Sequence, residues 1–233
     1  MKRCLRTICF ATLMASGALA QQKKSVPPPP KPQDAGASLE VTMKFIQDKM
    51  NEHGTVGYVY TRSDAGGVLF RTYTLMSEVE ADVSTCTLRA KKKGTAQIEV
   101  AEGNAFYEGG KAISGDDLHR EMVYKSISPF KDVVSIVVES AQDRENRGMA
   151  EAAHPEITAS YTPAVYFLLL KGTKKDAFSY HSTLNKGKEP PQDSDFKDDT
   201  TWFIFRDEET ANRVAKAMLH AVELCGGGNK DPF

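Results

Sequence analysis

Two periodicities divide the chain. In SLEVTMKFIQDKMNEHG (38–54), Leu39, Met43, Ile46 and Met50 fall at i, i+4, i+7 and i+11, the single apolar stripe of an amphipathic helix. Ser38 is suited to cap its start and Gly54 to end it. From 55 to 206 the period shortens. TVGYVYTR, VLFRTYTLM, STCTLRAK, MVYKSIS, VVSIVVES, PAVYFLLLK, AFSYHSTL and TTWFIFR are short runs rich in Val, Ile, Thr and aromatics. Gly, Pro, Asp or Lys clusters separate them, as expected of strands joined by turns. DAGG (64–67) reads as the turn of a first hairpin. The helical period returns in DEETANRVAKAMLHAVELCGGG (207–228). There Asp207 is a cap, Glu208 and Glu209 suit the first turn, and Ala211, Val214, Ala215, Met218, Val222 and Cys225 form an inner stripe. Arg213, Lys216 and Glu223 face outward, and Gly226 stands where a left-handed terminator belongs.

This layout of helix, about eight strands and helix, without strand–helix alternation or an internal repeat, predicts an α+β fold. Its main element is an antiparallel β-barrel or strongly bent sheet, with an N-terminal helix and a C-terminal helix capping one open end.

The chain ends add a compartment. Lys2, Arg3 and Arg6 precede an apolar stretch from Thr7 to Leu19, and Ala18-Leu19-Ala20 has the small-x-small form of a processing site. Residues 1–20 therefore read as a signal peptide cleaved after Ala20, and the protein as exported, periplasmic or extracellular. Residues 21–37 hold PPPPKP, a semi-rigid proline-rich linker. A single domain is expected over 38–226, followed by a short tail, 227–233. No other run approaches membrane-spanning length, so no transmembrane segment is expected after cleavage. Removing residues 1–20 leaves 27 Lys and Arg against 31 Asp and Glu, a formal charge of −4. Nucleic acid, which needs a concentrated basic face, is not an expected partner.

The order VYKSISPFKDVVSIVVES, VYFLLLK and WFIFRDEETANRVAKAMLHAVELCGG resembles pleckstrin-homology-like and GRAM-type domains, over residues 120–226 well and 55–119 loosely. ETANRVAKAMLHAVELCGG and STCTL also resemble a group of exported bacterial proteins with no assigned function. The resemblance implies a fold, and a fold does not give a function. The first hairpin, YTRSDAGGVLF, offers Arg62 beside Asp64, then Arg71, and lacks the dense basic rim that holds phosphorylated lipid head groups.

Cys86 and Cys225 remain after cleavage, an even number in an exported chain, and a disulfide between them would tie the last helix to the sheet. RAKKKG (89–94) supplies a candidate basic patch of Arg89, Lys91, Lys92 and Lys93, read as a solvated loop, as is KGTKK (171–175). Asp193, Asp195, Asp198 and Asp199 in EPPQDSDFKDD are weak candidates for a hard cation, because the glycine and terminal glutamate of an EF-hand are missing; a mobile acidic loop is expected. AQDRENRGMAEAAHPE (141–156) reads as a polar excursion from the sheet. His53, His119, His154, His181 and His220 show no metal-ligand spacing, and no G-x-S-x-G elbow or C-x-x-C pair occurs. No cofactor is expected.

Three functional readings follow. The first is a non-catalytic binding or scaffolding protein of the bacterial envelope with an unknown protein partner. The second is a barrel that carries a small apolar, lipid-like ligand. The third is a hydrolase without a recognisable motif, which no catalytic constellation in the sequence supports.

Overall fold

The computed structural model describes residues 36–64, 67–100, 107–108, 111–112, 119–151, 157–186 and 190–228; the segments read as signal and, nearly all of it, as linker lie outside them. Its elements are α1 (Leu39–Glu52), β1 (Thr55–Asp64), β2 (Gly67–Asp82), β3 (Thr87–Val100), β4 (Tyr107–Glu108), β5 (Lys111–Ala112), β6 (His119–Pro129), β7 (Val133–Ser140), α2 (Ala141–Glu151), β8 (Thr158–Thr162), β9 (Tyr166–Gly172), β10 (Phe178–Lys186), β11 (Gln192–Asp198), β12 (Thr200–Phe205) and α3 (Glu208–Leu224). The class is α+β with antiparallel pairing, as expected, but the sheet does not close into a barrel. Seven strands form one sheet in the order β11-β10-β6-β3-β2-β1-β8, three form a second, β12-β9-β7, and β4 pairs with β5.

The physical reason for two sheets is visible at the connections. After Pro129 a 3-10 turn, Phe130–Asp132, buries Phe130 completely, and the chain leaves the large sheet to begin β7 in the small one. The links β9–β10 and β11–β12 likewise pass between the sheets. Edge strands β8 and β11 thus stay unjoined to the second sheet. β11 is exposed along its whole length and carries Asp193 and Asp195, charges that discourage edge-to-edge pairing.

β1 and β2 pair from Thr55↔Met76 to Asp64↔Gly67, the expected hairpin. β2 runs six residues past the start of β1, and α1 takes over that edge. Asn51 donates from Nδ2 to Val79 O (2.9 Å) and accepts from Val79 N at Oδ1 (2.7 Å), while Gln47 Oε1 accepts from Ala81 N (2.9 Å). Side-chain amides here replace the missing strand and satisfy backbone groups that would otherwise lack partners. Gly54 is required at the junction, because a Cβ there would lie 2.4 Å from Met50 O and 2.5 Å from Ser77 O.

α1 buries Met43, Ile46 and Met50, and α3 buries Ala211, Val214, Ala215, Met218, Ala221 and Val222. Asp207 caps α3 by accepting from Thr210 N at 2.6 Å, and Gly226 adopts φ +75° after its end. The two helices meet residues of both sheets, among them Val79, Leu88, Phe130, Leu168, Leu170, Phe178, Phe203 and Phe205, in one core. α3 is therefore a cover over this core rather than the cork of a closed barrel. Cys86 and Cys225 are bonded, with Cα atoms 5.9 Å apart. Cys86 lies in the turn before β3, at φ +52°, not on the strand itself. Past α3, the N–H of Gly228 donates to Val133 O at 2.9 Å.

Two segments differ from their sequence reading. The stretch from 141 forms helix α2, because Ser140 caps it (Asp143 N to Ser140 Oγ, 3.0 Å) and its polar side chains find partners on the strands. The acidic stretch is strand β11, paired with β10 from Phe178↔Asp198 to Leu184↔Gln192, not a loop. β-pairing to an existing sheet outweighs the low strand propensity of aspartate.

Candidate functional site

Side chains alternate across a strand, and the inner face of the large sheet changes character along its length. Inner residues line up across β2, β3 and β6 in rows: Ala81–Leu88–Ser128, Val79–Ala90–Ser126, Ser77–Lys92–Tyr124, Leu75–Gly94–Met122 and Tyr73–Ala96–Arg120. The first two rows lie under the helices. Beyond Lys92 a cavity of about 420 Å³ opens, with Gly94 and Ala96 among the residues that line it. That volume falls within the ~300–1,000 Å³ usual for small-molecule sites. Phe167, Trp202 and Ile204 of the small sheet and Arg144 of α2 line its opposite side.

The walls are aromatic. Tyr58 and Tyr73 stack with centroids 5.0 Å apart, Tyr58 and Tyr60 each approach Tyr161, at 5.7 and 5.2 Å, and Phe167 meets Trp202 edge-on at 5.9 Å. Burial raises the pKa of Tyr58, Tyr60, Tyr124 and Tyr161, so these phenols stay neutral well beyond physiological pH. Glu145 of α2 accepts from Tyr60 Oη (3.0 Å) and Tyr161 Oη (3.2 Å), which fixes the helix against the sheet. Arg144 and Arg147 both bind Glu139 at the end of β7, at 3.1 and 2.6 Å. Arg144 also lies 5.4 Å from the Phe167 ring centre.

Lys92 is the unusual member. It is 3 % exposed, and its ammonium donates to Trp202 O and lies over the rings of Trp202 (4.6 Å) and Phe203 (4.3 Å). Burial pushes its pKa down to about 7. The carbonyl and the ring faces act the other way, since both favour the charged form. Arg71 and Arg120 line the same cavity, and neither is without a partner. The described lining thus carries four cationic side chains and no carboxylate.

The residues singled out in the sequence fall elsewhere. Arg89, Lys91 and Lys93 point outward from β3, whereas Lys92 points inward. The four do not form one patch, because they alternate on a strand rather than sharing a loop. Lys93 pairs with Glu121 (2.8 Å) and Lys91 with Glu78 (3.6 Å). A depression of about 680 Å³ crosses this region, with Glu78, Glu80, Arg89, Lys91 and Lys125 on its walls. Its solvated charges of both signs make it a screened polar surface rather than an enclosing site. Asp195 Oδ1 lies 2.8 Å from His181 Nδ1, Asp193 accepts from Thr183 Oγ1 (2.6 Å), and Asp198 accepts from the backbone of Asp199 and Thr200. Each aspartate is engaged locally, and among the described residues no group of three or more His, Cys, Asp or Glu could hold a metal ion. His53 ends α1 and His220 Nε2 contacts Ala37 O at 2.9 Å. The side chain of His119, and His154 entirely, lie outside the described residues.

Of the cavity residues, Lys92 was named in the sequence only as part of a solvated basic patch, and Tyr58, Tyr73, Trp202 and Arg144 were not singled out. Strict alternation through RAKKKG would have placed Lys92 beside Ala90 on the inner face. Comparison with known proteins returns no match, whether to a family model, a curated protein or a solved structure.

Proposed function

We propose that this chain is an exported, non-catalytic binding protein of the bacterial envelope that takes a small ligand into the cavity between its two sheets. The observation that carries the reading is the cavity itself, walled in part by the rings of Tyr58, Tyr73, Tyr124, Phe167 and Trp202. Placement outside the cytoplasm draws support from the Cys86–Cys225 bond, which oxidising compartments favour. Among the described residues no helix is long and apolar enough to cross a membrane. On this reading the closed core beneath the helices is scaffold, and the opposite end is the working end.

Native mass spectrometry on chain purified gently from an exporting host tests the proposal. An added mass that leaves on denaturation is expected. The sole tryptophan, Trp202, lines the cavity, so extracting that ligand should shift its fluorescence. A bare chain whose tryptophan emission and melting temperature ignore a panel of small amphiphiles would overturn the reading.

A further inference from the structure

Resting on the small-ligand reading, we infer that α2 is a strap that gates the cavity, swinging away from a fixed pivot at Ala141 while the rest of the fold stays closed. The helix crosses from the small sheet to the large one. It starts where β7 ends, and Arg144 and Arg147 reach back to Glu139 of that strand. On the other side Gln142 Nε2 donates to Ala159 O of β8 (2.8 Å), and Glu145 accepts from Tyr60 of β1 and Tyr161 of β8. α2 thus bridges the two sheets beside the cavity, and Arg144 is its contribution to the lining.

What holds α2 differs in kind from what holds α1 and α3. Those helices bury apolar stripes in the main core, and α3 is also tied down by the Cys86–Cys225 bond. In α2 only Ala141 is buried. Gln142, Glu145 and Met149 are half-buried, and the other residues to Glu151 are exposed. The face turned to the protein is therefore mostly polar, and its fastenings are hydrogen bonds and ion pairs of exposed arginines, which water can replace. A segment of 11 residues that includes Gly148 is also a weak helix once detached. Ala141 is the anchored end: it packs in the cluster of Val56, Tyr58 and Ile204, and its N–H donates to Val165 O at 2.9 Å. No residue of α2 belongs to the sealed core, so opening beyond Ala141 breaks a polar latch and leaves that core whole. Elements fastened in this way open locally, without global unfolding. Glu145 is the centre of the latch, because one carboxylate holds phenols from two strands of the large sheet.

The experiment uses the mature full chain. Hydrogen exchange read by mass spectrometry, without ligand, should show amides 145–151 exchanging at least about a hundredfold faster than those of α3. Their rates should stay nearly constant in low denaturant, where the α3 rates climb. Glu145→Ala should speed exchange in α2 about tenfold or more, since a carboxylate acceptor is lost, and leave that of α3 nearly unchanged. Tyr161→Phe, which removes one of the two hydroxyls and keeps its ring, should give a smaller acceleration of the same kind. The gate itself is read with N-phenyl-1-naphthylamine, an uncharged apolar fluorophore, mixed rapidly with each chain and followed through Trp202. Its entry should be faster in Glu145→Ala by the factor seen in exchange, and at saturation it should slow α2 exchange in the parent. Exchange of α2 in step with α3 in the parent, or equal entry rates in parent and variant, overturns the strap while the cavity reading stands. A variant in which α3 exchange rises as much as that of α2 also counts against it, because the latch would then belong to the global fold. Failure of the fluorophore to bind, with no mass adduct on the native chain, removes the cavity reading and the strap with it.

Discussion

The two ends of the strand framework have opposite interiors. Toward the helices, β3 contributes Leu88 and Ala90, β9 contributes Leu168 and Leu170, and β12 contributes Phe203 and Phe205; all are buried and packed with α1 and α3. Toward the other end β3 presents Ala96 and Ile98, and the opposite face of β9 and β12 presents Phe167, Trp202 and Ile204. These meet tyrosines, the polar helix α2 and a void. One residue of shift along β12 moves a side chain from the sealed core to the cavity, because successive residues take opposite faces. The comparison teaches that a sealed core and an open cavity can share one set of strands. The cover is applied to one end only, and the uncovered end can keep cations and empty space because the other end holds the fold.

The sharpest way to break that division is to remove what fastens the cover. The Cys86–Cys225 bond closes a loop with a sequence separation of 139, which the chain-entropy model values at about 5 kcal/mol, with measured effects of about 2–5 kcal/mol for native disulfides. Cys225→Ser should therefore lower the unfolding midpoint in denaturant by that order. Adding reductant to the parent chain should reproduce the variant. A midpoint unchanged in both would mean that the helical end does not need its fastening.

A pair of truncations then compares the ends directly. Phe205→Ala empties a fully enclosed site in the helical core and should cost about 3–5 kcal/mol. Tyr73→Ala removes a half-buried ring that faces the cavity and should cost about 1 kcal/mol. It should also change Trp202 emission and ligand response, which Phe205→Ala should leave intact below its own melting temperature. Equal losses in chemical denaturation would erase the proposed difference between the ends.

Much of the helical end was legible in the sequence. The 3.6-residue stripes of Met43, Ile46 and Met50 and of Ala211 to Val222 are local patterns, and the caps Ser38, Asp207 and Gly226 sit next to the turns they end. The cysteine pair followed from parity and compartment. The cavity was not legible, because no local pattern encodes it. Lys92 is hidden in a run of basic residues that ordinarily marks a surface, and its partners Trp202 and Phe203 lie 110 residues or more away in sequence. Gly94 matters for a side chain it lacks. Helix α2 is polar on most sides, with only Ala141 buried, so it offers almost no apolar period to detect. Strand β11 likewise exists only because β10 is there to pair with. Closure into a barrel, one of two forms expected beside a strongly bent sheet, depended on where the chain turns out of the large sheet, at Pro129 and Phe130.

The subtlest test concerns the boundary between the ends, where Lys92 places a cation against the last ring of the sealed core. Its folded pKa, about 7, is below the ordinary 10.5. Below about pH 7 the amine is protonated in both folded and unfolded chains, and the penalty of burying its charge is fully present. Between about 7 and 10 the unfolded chain holds a proton that the folded one has released, so stability rises with pH across that window. The gain is on the order of 2–4 kcal/mol, reduced to the extent that Trp202 O and the two rings hold the ammonium in place. Above about pH 10 the buried tyrosines reverse the trend, because Tyr58 and Tyr60 stay protonated in the folded chain while their unfolded counterparts ionise. Urea midpoints measured from pH 6 to 10 should therefore climb in the ligand-free parent and stay flatter in Lys92→Met. At pH 6 the variant should equal or exceed the parent in stability. A protein more stable at pH 6 without this lysine would show that its buried charge is a cost the sealed core tolerates.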